Sequence, residues 1–438
     1  MPTLLVDLIY LLLALLILPT LLYKVIVLKK YRRGWGDRFG GVPRRDWKRP
    51  CVWIHGVSLG EINASRTLVE QLDQLRPDID IVVSATTDTG FAAARRLYPD
   101  RIVFRYPLDI SFVVRRALNR IRPNVIVLME LELWPNILRI ASSRGIAVGV
   151  ANGRITEEKS MRRFSQPIVR NVAHDMVRRL AWIAAQDGAY ADRFRRLGAP
   201  SDRVIVAGSL KYDTAVVADS IPGDTALAEA MGIRRDAPLL VAGSTGPGEE
   251  ARLLDAFERL RATRPDLQLA IIPRKPERFD EVARLIETRG FICHRRSKHP
   301  DGAAAPRSTD STENPVVFLG DTMGELRKFY ALANVVFVGR TLVPLGGSDL
   351  MEVAALAKPL CYGPYIENFE DIDRQLIDAD AAIKVADASE LTHTVEGFLA
   401  SPGDADKRAQ RARNVVVRNQ GATRQIIDLI TTSLDRRP

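Results

Sequence analysis

The strongest constraint on the fold is a repeated pattern in which a short apolar run of strand-forming residues precedes a stretch with helical periodicity. Seven such runs occur in the first half of the chain, at residues 51–57, 79–84, 101–104, 124–129, 146–151, 181–184 and 203–207. Five more follow, at residues 238–242, 267–272, 316–319, 335–338 and 359–362. Strands that alternate with helices form a parallel sheet covered by helices on both faces. The pattern therefore predicts an α/β protein with two doubly wound domains in tandem.

The length of 438 residues also favours two domains, because a single hydrophobic core stops growing at roughly 250–300 residues. A mixed, proline-containing stretch at 213–236 separates the two series of runs, and we place a hinge near residues 212–222. Residues 297–315 are polar and rich in small side chains, which predicts a mobile loop. Residues 407–434 are basic and helical in periodicity, and we expect this segment to pack back across the first domain.

The N-terminus has a different character from the rest of the chain. Residues 4–28 form an apolar run rich in Leu, Ile and Val, and the basic sequence KKYRR follows at 29–33. A secretory signal would carry its positive charge before the apolar run, and this chain carries it afterwards. The run is long enough for one tilted membrane span of about 20 residues, and the basic cluster predicts that the rest stays cytoplasmic. A half-inserted anchor and a buried core helix are the alternatives.

Composition narrows the classes of partner and cofactor. The chain has 63 Lys and Arg against 53 Asp and Glu, and this net charge of +10 favours anionic partners such as nucleotides or phospholipid surfaces. Nucleic acid is not an expected partner, since no basic stretch is interleaved with aromatic residues. Cys51, Cys293 and Cys361 lie in or beside apolar runs without paired spacing, which predicts buried thiols in a reducing compartment. The cysteines and the five histidines lack ligand spacing, so we expect no metal site.

Two domains that face each other would form a cleft between the carboxyl ends of both sheets, where ligands of open α/β sheets bind. In the second half, VAGSTGPGEE places Ser244 and Thr245 in a glycine turn before a helix, and the backbone amides of such a turn can face an anion. An ordinary strand-to-helix turn is the alternative. Arg274 and Lys275 follow the next strand and could pair with a phosphate, unless they are merely solvated charges.

The sequence VGRTLVPLGGSDLMEVAA suggests how a nucleotide could be held. A strand ends at Gly339, Gly346 and Gly347 form a turn, and Glu352 falls in the first turn of a helix. A carboxylate there can accept hydrogen bonds from two ribose hydroxyls at once. Alternatively, Glu352 only caps its own helix.

In the first half, two acidic motifs follow strands. In WIHGVSLGE, Glu61 lies at a helix start, where the helix dipole favours a negative charge and Gly60 raises no steric wall. In MELELWPN, Glu130 and Glu132 leave the end of another strand. Acidic groups from adjacent turns can converge, so that one takes a proton from an attacking hydroxyl and another holds substrate hydroxyls. One of Glu130 and Glu132 is expected to be structural.

Several segments together resemble one enzyme family. They are YRRGWGDRFGG, VWIHGVSLGE, MELELWPN, ANGRITEEKSMRRF, IPRKPERF, GELRKFYALANVVFVG and GPYIENF, which are spread over most of the chain. They are similar to segments of the Kdo transferases of lipopolysaccharide synthesis, which move 3-deoxy-D-manno-oct-2-ulosonic acid (Kdo) from CMP-Kdo to a lipid A precursor.

The resemblance implies an α/β fold of two tandem Rossmann-like, doubly wound domains of the GT-B type with an N-terminal membrane-anchor helix. Residues 1–33 would be the anchor and its basic flank, 34–213 the acceptor-binding domain, 214–405 the domain that binds CMP-Kdo, and 406–438 the C-terminal helical segment. It also implies a membrane-bound enzyme on the cytoplasmic side of the inner membrane that uses no metal or other cofactor.

The resemblance also assigns roles to residues. Glu61 matches the general base, and Glu130 or Glu132 matches the acidic position that accompanies it. The donor-binding candidates, from the turns above and from the resemblance, are Ser244, Thr245, Arg274, Lys275, Gly324, Glu325, Gly347, Asp349 and Glu352. The candidates near the acceptor or the sugar are Ser58, Gly60, Asn152, Arg154 and Ser160. Arg154 could instead be a solvated loop charge.

The chain departs from the family pattern at a few positions. Ser348 and Asp349 stand where the family more often has histidine and asparagine, and Gly246 stands where it often has histidine. Asp349 adds a negative charge near an anionic donor, which leaves two alternatives open. One is a glycosyltransferase that uses another nucleotide sugar, and the other is a non-catalytic, membrane-tethered binding protein.

Overall fold

A computed structural model of the chain describes residues 3–12, 16, 34–302 and 315–435. The described residues form two compact units. The first comprises the chain up to Thr214 together with the chain from Asn419, and the second comprises Ala215–Arg418. The division at Thr214 lies within the stretch in which the sequence places a hinge.

Each unit is built on a seven-stranded sheet in which all of the observed pairings are parallel. The strands of the first unit are β1 Cys51–Gly56, β2 Asp80–Ala85, β3 Val103–Arg105, β4 Val125–Met129, β5 Ala147–Gly153, β6 Trp182–Ala185 and β7 Val204–Val206. Those of the second are β8 Leu239–Thr245, β9 Gln268–Pro273, β10 Ile292–Arg295, β11 Val316–Leu319, β12 Val335–Val338, β13 Leu360–Tyr362 and β14 Ile383–Lys384. The strand orders are β3-β2-β1-β4-β5-β6-β7 and β10-β11-β9-β8-β12-β13-β14.

Helices follow most strands. In the first unit residues 3–12 are helical. The further helices are α1 Trp35–Arg38, α2 Leu59–Leu75, α3 Asp88–Leu97, α4 Ser111–Ile121, α5 Pro135–Ser143, a π-helical segment Glu157–Met161, α6 Arg162–Phe164, α7 Pro167–Arg178, α8 Gly188–Arg196, a 3₁₀ turn Ser201–Arg203 and α9 Leu210–Asp213. The second unit has α10 Asp224–Met231, α11 Glu249–Thr263, α12 Phe279–Thr288, α13 Leu326–Leu332, α14 Met351–Ala354, α15 Glu370–Asp378, α16 Ala388–Ala400 and α17 Pro402–Asn419, with 3₁₀ turns at Pro276–Arg278, Arg296–Lys298 and Glu367–Phe369. The final helix, α18 Ala422–Asp435, belongs to the first unit.

Alternating side chains of the interior strand β1 show why helices cover both faces of the first sheet. Trp53 packs against Phe104 on one face, with ring centroids 5.3 Å apart. Its neighbours Val52 and Ile54 point to the other face, into a core shared with α2 and α18. All of these side chains are fully buried. A strand buried on both faces has no polar alternation, which is the pattern of the apolar runs in the sequence.

The twelve strands expected from the sequence are confirmed, and two more are present. β10 and β14 lie at the two edges of the second sheet. β10 is half-exposed and carries His294 and Arg295, while β14 is two residues long. Neither edge strand contains an apolar run, because an edge strand does not need to bury both faces.

The predicted anchor lies largely outside the described residues, which omit 13–15 and 17–33. Among the helices that are described, none combines the length and the apolar character that crossing a bilayer requires. Most of the predicted loop at 297–315 is also outside the described residues, which omit 303–314. The three cysteines are free thiols, with Cys51 and Cys361 buried and Cys293 half-buried.

Glycine at position 363 allows a close backbone contact after β13. A Cβ atom there would lie 2.1 Å from the backbone carbonyl oxygen of Thr341, which cannot rotate away as a side chain can. Gly363→Ala should therefore destabilise the second unit by about 1–3 kcal/mol. Gly397→Ala in α16, where a Cβ would meet nothing within 4 Å, should instead stabilise it by about 0.5–1 kcal/mol. Urea unfolding of both variants measures these opposite shifts, and a neutral Gly363→Ala would contradict the contact.

Candidate active site

The candidate site of each unit lies where the strand order of the sheet reverses. The reversal falls between β1 and β4 in the first sheet and between β8 and β12 in the second. Ligands of open α/β sheets bind in the crevice beyond the carboxyl ends of such strand pairs. Glu61 and Glu130 follow β1 and β4, while Ser244 and Arg340 stand at the ends of β8 and β12.

Glu61 closes the turn between β1 and α2 with both of its carboxylate oxygens. Its Oε2 accepts a hydrogen bond from the backbone amide of Val57, and its Oε1 accepts one from the hydroxyl of Ser58, both at 2.8 Å. The Ser58 hydroxyl in turn accepts from the amide of Glu61 at 3.3 Å, as the N-cap of α2. This reciprocal arrangement is a variant of the capping box, in which the amide of Val57, one residue before the N-cap, takes the place of the N-cap amide. Glu61, the predicted base, therefore stabilises its own turn.

Glu130 is the first residue after β4 and has a backbone φ of 58°. This left-handed conformation costs a non-glycine residue roughly 1–3 kcal/mol. Its amide donates to the carbonyl of Ala151 at 2.9 Å, but its half-buried carboxylate has no hydrogen-bond or ion-pair partner among the residues that the structure describes. Burial and then the charge of Glu61 raise the pKa of Glu130, whereas Lys211 and Arg154 lower it. Glu130 is therefore a strained, unpaired acid.

Glu132 completes a cluster of three carboxylates, which we call the acidic cluster (Glu61, Glu130 and Glu132). Its Oε2 accepts a hydrogen bond from the indole nitrogen of Trp134 at 2.9 Å. Burial raises the pKa of Glu132, and the charges of Glu61 and Glu130 raise it further. The structure thus brings together the three acidic residues that the sequence singles out in this half of the chain.

Asn152 and Lys211 extend this site. Asn152 has a φ of 56° and is 1% exposed, and its Oδ1 accepts from the amide of Leu210 at 3.0 Å. This contact holds the first residue of α9, whose next residue is Lys211, one of the two cations that lower the pKa of Glu130. Asn152 therefore positions a helix, whereas the sequence places it near the sugar or acceptor. Arg154 is exposed, and its Nε donates to the hydroxyl of Tyr190 at 3.2 Å.

Two further candidates of the first unit are Gly60 and Ser160. Gly60 is exposed in the first turn of α2. Ser160 lies in the π-helical segment, with its hydroxyl 3.4 Å from that of Thr156. These contacts assign no chemistry to either position.

His55, near the end of β1, is not an acid–base group at neutral pH. It is fully buried, and its ring stacks on that of Tyr106 with centroids 3.7 Å apart. Its Nδ1 lies 2.9 Å from the hydroxyl of Ser84. Burial lowers the pKa of His55 to about 3, so the imidazole is neutral. Its contacts with Ser84 and Tyr106 therefore have a structural role at the end of β1.

A buried carboxylate also organises the second unit. Glu249, the first residue of α11, is fully buried. Its Oε2 accepts from the amides of Gly246 at 2.8 Å and Arg340 at 2.5 Å, and its Oε1 accepts from those of Thr341 at 2.8 Å and Leu342 at 2.9 Å. One side chain thereby ties the loop after β8 to the loop after β12.

The neighbouring Glu250 ties a third loop to the same helix. Its Oε1 accepts from the hydroxyl of Thr245 at 2.8 Å, and its two oxygens pair with the guanidinium of Arg278 at 2.5 and 3.1 Å. The prediction that this glycine turn faces an anion therefore needs correction. The Gly246 amide and the Thr245 hydroxyl already donate to carboxylates of their own helix, so they are not free for a phosphate.

Glu352 is the unpaired carboxylate of the second unit. No hydrogen bond or ion pair reaches it from the part of the chain that the structure describes. Burial raises its pKa to about 7, the charge of Asp349 adds to this, and Arg327 and Arg274 lower it. The Oδ1 of Asp349 accepts from the amide of Met351 at 2.8 Å. Asp349, at a position where the sequence departs from the family, therefore caps α14, and Glu352 does not.

Arg274 and Lys275 are exposed directly after β9, at the same sheet edge, as the sequence predicts. The amide of Arg274 donates to the carbonyl of Thr245 at 3.0 Å, which joins this loop to the end of β8. Ser244 is 7% exposed with a φ of 58°, and its side chain is hydrogen-bonded to Tyr330. The cationic side chains, rather than the Ser244 hydroxyl, are thus the groups available to an anion.

The remaining donor candidates have structural contacts. Arg296 pairs with both oxygens of Glu325 at 2.8 and 2.9 Å and, with further donors, lowers its pKa to about 2. Both oxygens of Glu325 are therefore occupied by hydrogen bonds. A Cβ atom at the neighbouring Gly324 would meet no other atom within 4 Å. Gly347 has a φ of 83°, and a Cβ there would lie 2.4 Å from Ile366. It shapes the turn before Glu352.

Sequence analysis missed two cations, Lys211 and Arg327. Each is the second residue of a short helix, α9 or α13, that follows a strand. Each lowers the pKa of the unpaired acid of its unit, Glu130 or Glu352. Sequence analysis chose Glu61 because it lies in the first helical turn after a strand. The same criterion, applied to basic residues, would have identified Lys211 and Arg327.

The architecture has a known counterpart. A glycosyltransferase from Rickettsia africae has a similar fold, with a TM-score of 0.55 and 12% identity over 89% of this chain and 100% of that one. At this identity the likeness concerns the fold alone. The two parallel-sheet α/β units thus have the architecture of GT-B-type glycosyltransferases.

Sequence comparison narrows this class to a family. A family model of 3-deoxy-D-manno-octulosonic-acid transferases (Kdo transferases) matches residues 33–214. The 3-deoxy-D-manno-octulosonic acid transferase of Haemophilus influenzae is 31% identical over 414 residues, 93% of each chain, and that of Bordetella pertussis is 33% identical over 390 residues, 86% of each. The chain belongs to the Kdo transferase family and is a glycosyltransferase.

Replacing Glu249 with Gln should destabilise the second unit by about 3 kcal/mol or more. The four backbone amides now share two carboxylate oxygens, whereas a glutamine side chain offers them only one acceptor oxygen. Its amide group also adds two donors that would need acceptors in a buried site. Urea unfolding of the full chain measures the loss. Glu258→Gln on the same helix is the matched control, because the exposed ion pair of Glu258 with Arg289 is worth about 0–1 kcal/mol. Equal stabilities would show that Glu249 does not hold the loops.

Proposed function

We propose that the enzyme transfers Kdo from CMP-Kdo to a lipid A precursor. Membership of the Kdo transferase family supports the identity of the sugar. The observation that carries the reaction is the acidic cluster at the switch point of the first unit, which holds an unpaired carboxylate with a raised pKa. A carboxylate in this state can remove the proton of an acceptor hydroxyl.

The second unit would bind the donor. The unpaired Glu352 would accept hydrogen bonds from the two ribose hydroxyls of the nucleotide, and Arg274 and Lys275 would meet its phosphate. As the phosphate leaves, these cations stabilise its developing charge, which is the role that a metal ion has in other transferases. The reaction is then a direct displacement at the anomeric carbon of Kdo with a carboxylate base, and it needs neither a metal nor a covalent intermediate.

We further propose that the enzyme works at the cytoplasmic face of the inner membrane, where a lipid acceptor is found. The apolar run at 4–28 and the basic sequence at 29–33 support an anchor there. In the described helix at 3–12, Leu4 and Leu11 are exposed, while Asp7 accepts from the amide of Ser111 and Tyr10 donates to Asp109. The helix therefore has a polar side against the first unit and a leucine side that is free to meet lipid.

Incubation of the protein with CMP-Kdo and a tetra-acylated lipid A precursor should yield a product heavier by the mass of one or more Kdo residues, as seen by mass spectrometry. In thermal melts, CMP should protect the protein and UDP should not. Protection by UDP alone would favour the alternative, another nucleotide sugar, which the extra negative charge of Asp349 keeps open. Protection by CMP without any product would contradict the proposed lipid A precursor as the acceptor.

The affinity for CMP should rise with pH because Glu352 must be ionised to accept two hydroxyl groups. Its pKa of about 7 leaves it mostly protonated at pH 6 and mostly ionised at pH 8, so affinity should increase by roughly tenfold across this range. Calorimetric titration of wild type and Glu352→Gln measures the effect. The variant retains only the pH dependence of the phosphate itself, and identical pH slopes would rule out Glu352 as the titrating group.

A further inference from the structure

The helix at 3–12, which we call the N-terminal helix, faces the first unit with its polar side. Its buried and half-buried residues recur at the spacing i, i+3, i+4 and i+7, which places them on one face. That face comprises Thr3, Val6, Asp7 and Tyr10, and the other residues, each 39–78% exposed, are Leu4, Leu5, Leu8, Ile9, Leu11 and Leu12. A surface helix of a globular protein has the reverse arrangement, with its apolar stripe toward the core. The outward face of the N-terminal helix therefore fits an apolar environment.

Asp7 supplies a cap that α4 lacks. This helix begins at Ser111, and its N-cap residue, Ile110, has no side chain that can accept a hydrogen bond. The Oδ1 of Asp7 accepts from the amide of Ser111 at 2.9 Å and from the Nδ2 of Asn136, in the first turn of α5, at 2.8 Å. A carboxylate in this place satisfies an amide that the helix leaves unpaired, and the helix dipole favours its charge.

Asp109 supplies the corresponding cap to α5, and the N-terminal helix contacts it. Trp134, the N-cap residue of α5, makes no side-chain cap. The Oδ1 of Asp109 accepts from the amide of Ile137 at 2.8 Å. Its Oδ2 accepts from the amide of Asn136 at 2.9 Å and from the hydroxyl of Tyr10 at 3.1 Å. The N-terminal helix thus reaches the start of α5 by two routes.

Both capped helices begin at the edge of the first sheet where ligands bind. Helix α4 follows β3, and α5 follows β4. Because β4 belongs to the strand pair at which the strand order reverses, the residues between β4 and α5 border the crevice beyond the carboxyl ends of the sheet. A contact that fixes the start of α5 therefore fixes one side of that crevice.

We infer that the N-terminal helix is a structural part of the first unit that holds the start of α5 at a fixed place relative to the bilayer, with Asp7 as a positioning residue. The inference rests on the proposed function, because it names how the membrane of that function is contacted. The bilayer hydrocarbon covers the outward face, since the apolar run continues to residue 28 and the basic sequence at 29–33 follows. A flexible tether would need none of the hydrogen bonds that Asp7 and Tyr10 make.

Asp7→Leu separates this role from that of a simple anchor. The substitution makes the N-terminal helix more apolar, so the full chain should bind vesicles of phosphatidylglycerol and phosphatidylethanolamine at least as well as wild type, as measured by co-sedimentation. Because the bonds to Ser111 and Asn136 are lost, the KM for a lipid A precursor in these vesicles should rise about tenfold. The KM for CMP-Kdo should stay within twofold of wild type, which a general loss of structure would not allow.

Two further variants serve as controls. Asp7→Asn keeps an acceptor oxygen for the same donors, so it should retain most of the affinity for the lipid acceptor. Leu8→Asn changes the outward face alone, so it should weaken vesicle binding without changing the contacts of α4 and α5.

Hydrogen exchange measures those contacts without any substrate. In Asp7→Leu, peptides that cover residues 109–114 and 134–139 should exchange about tenfold faster than in wild type, and in Leu8→Asn they should not. Unchanged exchange in Asp7→Leu, an unchanged KM for the lipid acceptor, or a loss of vesicle binding would overturn the inference and leave the proposed function intact. Absence of Kdo transfer by the wild type would overturn the proposed function, whereas exchange would still show whether the N-terminal helix holds α4 and α5.

Discussion

In each sheet, the turn after the strand that comes first in the chain, β1 or β8, is closed by a carboxylate that accepts backbone amides, and the neighbouring loops depend on that contact. In the first unit the carboxylate is Glu61, which binds the amide of Val57. In the second it is Glu249, which binds four amides from two loops. A parallel sheet leaves unpaired amides at this point, because the strand has ended and the helix has not yet begun its own hydrogen bonds. A glutamate at the helix start satisfies them and benefits from the helix dipole.

Once these turns are fixed, the neighbouring strand can end in a strained residue. β4 is followed by Glu130 and β12 by Gly339 and Arg340, and both Glu130 and Arg340 have positive φ values. The Arg340 amide is held by Glu249, and the Glu130 amide is held by the carbonyl of Ala151. Such strain persists only where surrounding contacts determine the backbone, and it is concentrated at functional sites. Both units therefore pair a hydrogen-bonded turn after one strand with a strained residue after the neighbouring strand.

Sequence reasoning located the strands and the acidic positions because both follow from local patterns. Buried parallel strands are apolar throughout, and the carboxyl ends of the strands of one sheet meet at one edge. Glu61 and Glu130 could therefore be placed at that edge of the first sheet, and Glu352 at the corresponding edge of the second, before any coordinates were known. The edge strands β10 and β14 lack the apolar run and were missed. The roles of the acidic residues were harder to predict. A glutamate at a helix start has the same sequence pattern whether it binds an amide, an arginine or a substrate. Contacts between segments distant in sequence decide these roles. Glu325 pairs with Arg296, Glu250 pairs with Arg278, and Glu249 accepts amides of the loop after β12.

The carboxylates of this enzyme differ in the number of hydrogen bonds that they accept, and their position in a motif does not reveal this number. Glu325, bound on both oxygens by Arg296, has a pKa lowered to about 2, whereas the unpaired Glu352 has one raised to about 7. The difference arises because paired donors stabilise the charged form, and burial without donors destabilises it. A folded chain tolerates the second condition only where the group has another use, since the same position filled by a neutral side chain would be more stable. Glu130 and Glu352 meet this condition, one in each unit, and each has an arginine within electrostatic reach. The unpaired acids, one in each unit, are therefore the carboxylates whose hydrogen-bonding capacity the described part of the chain leaves unused.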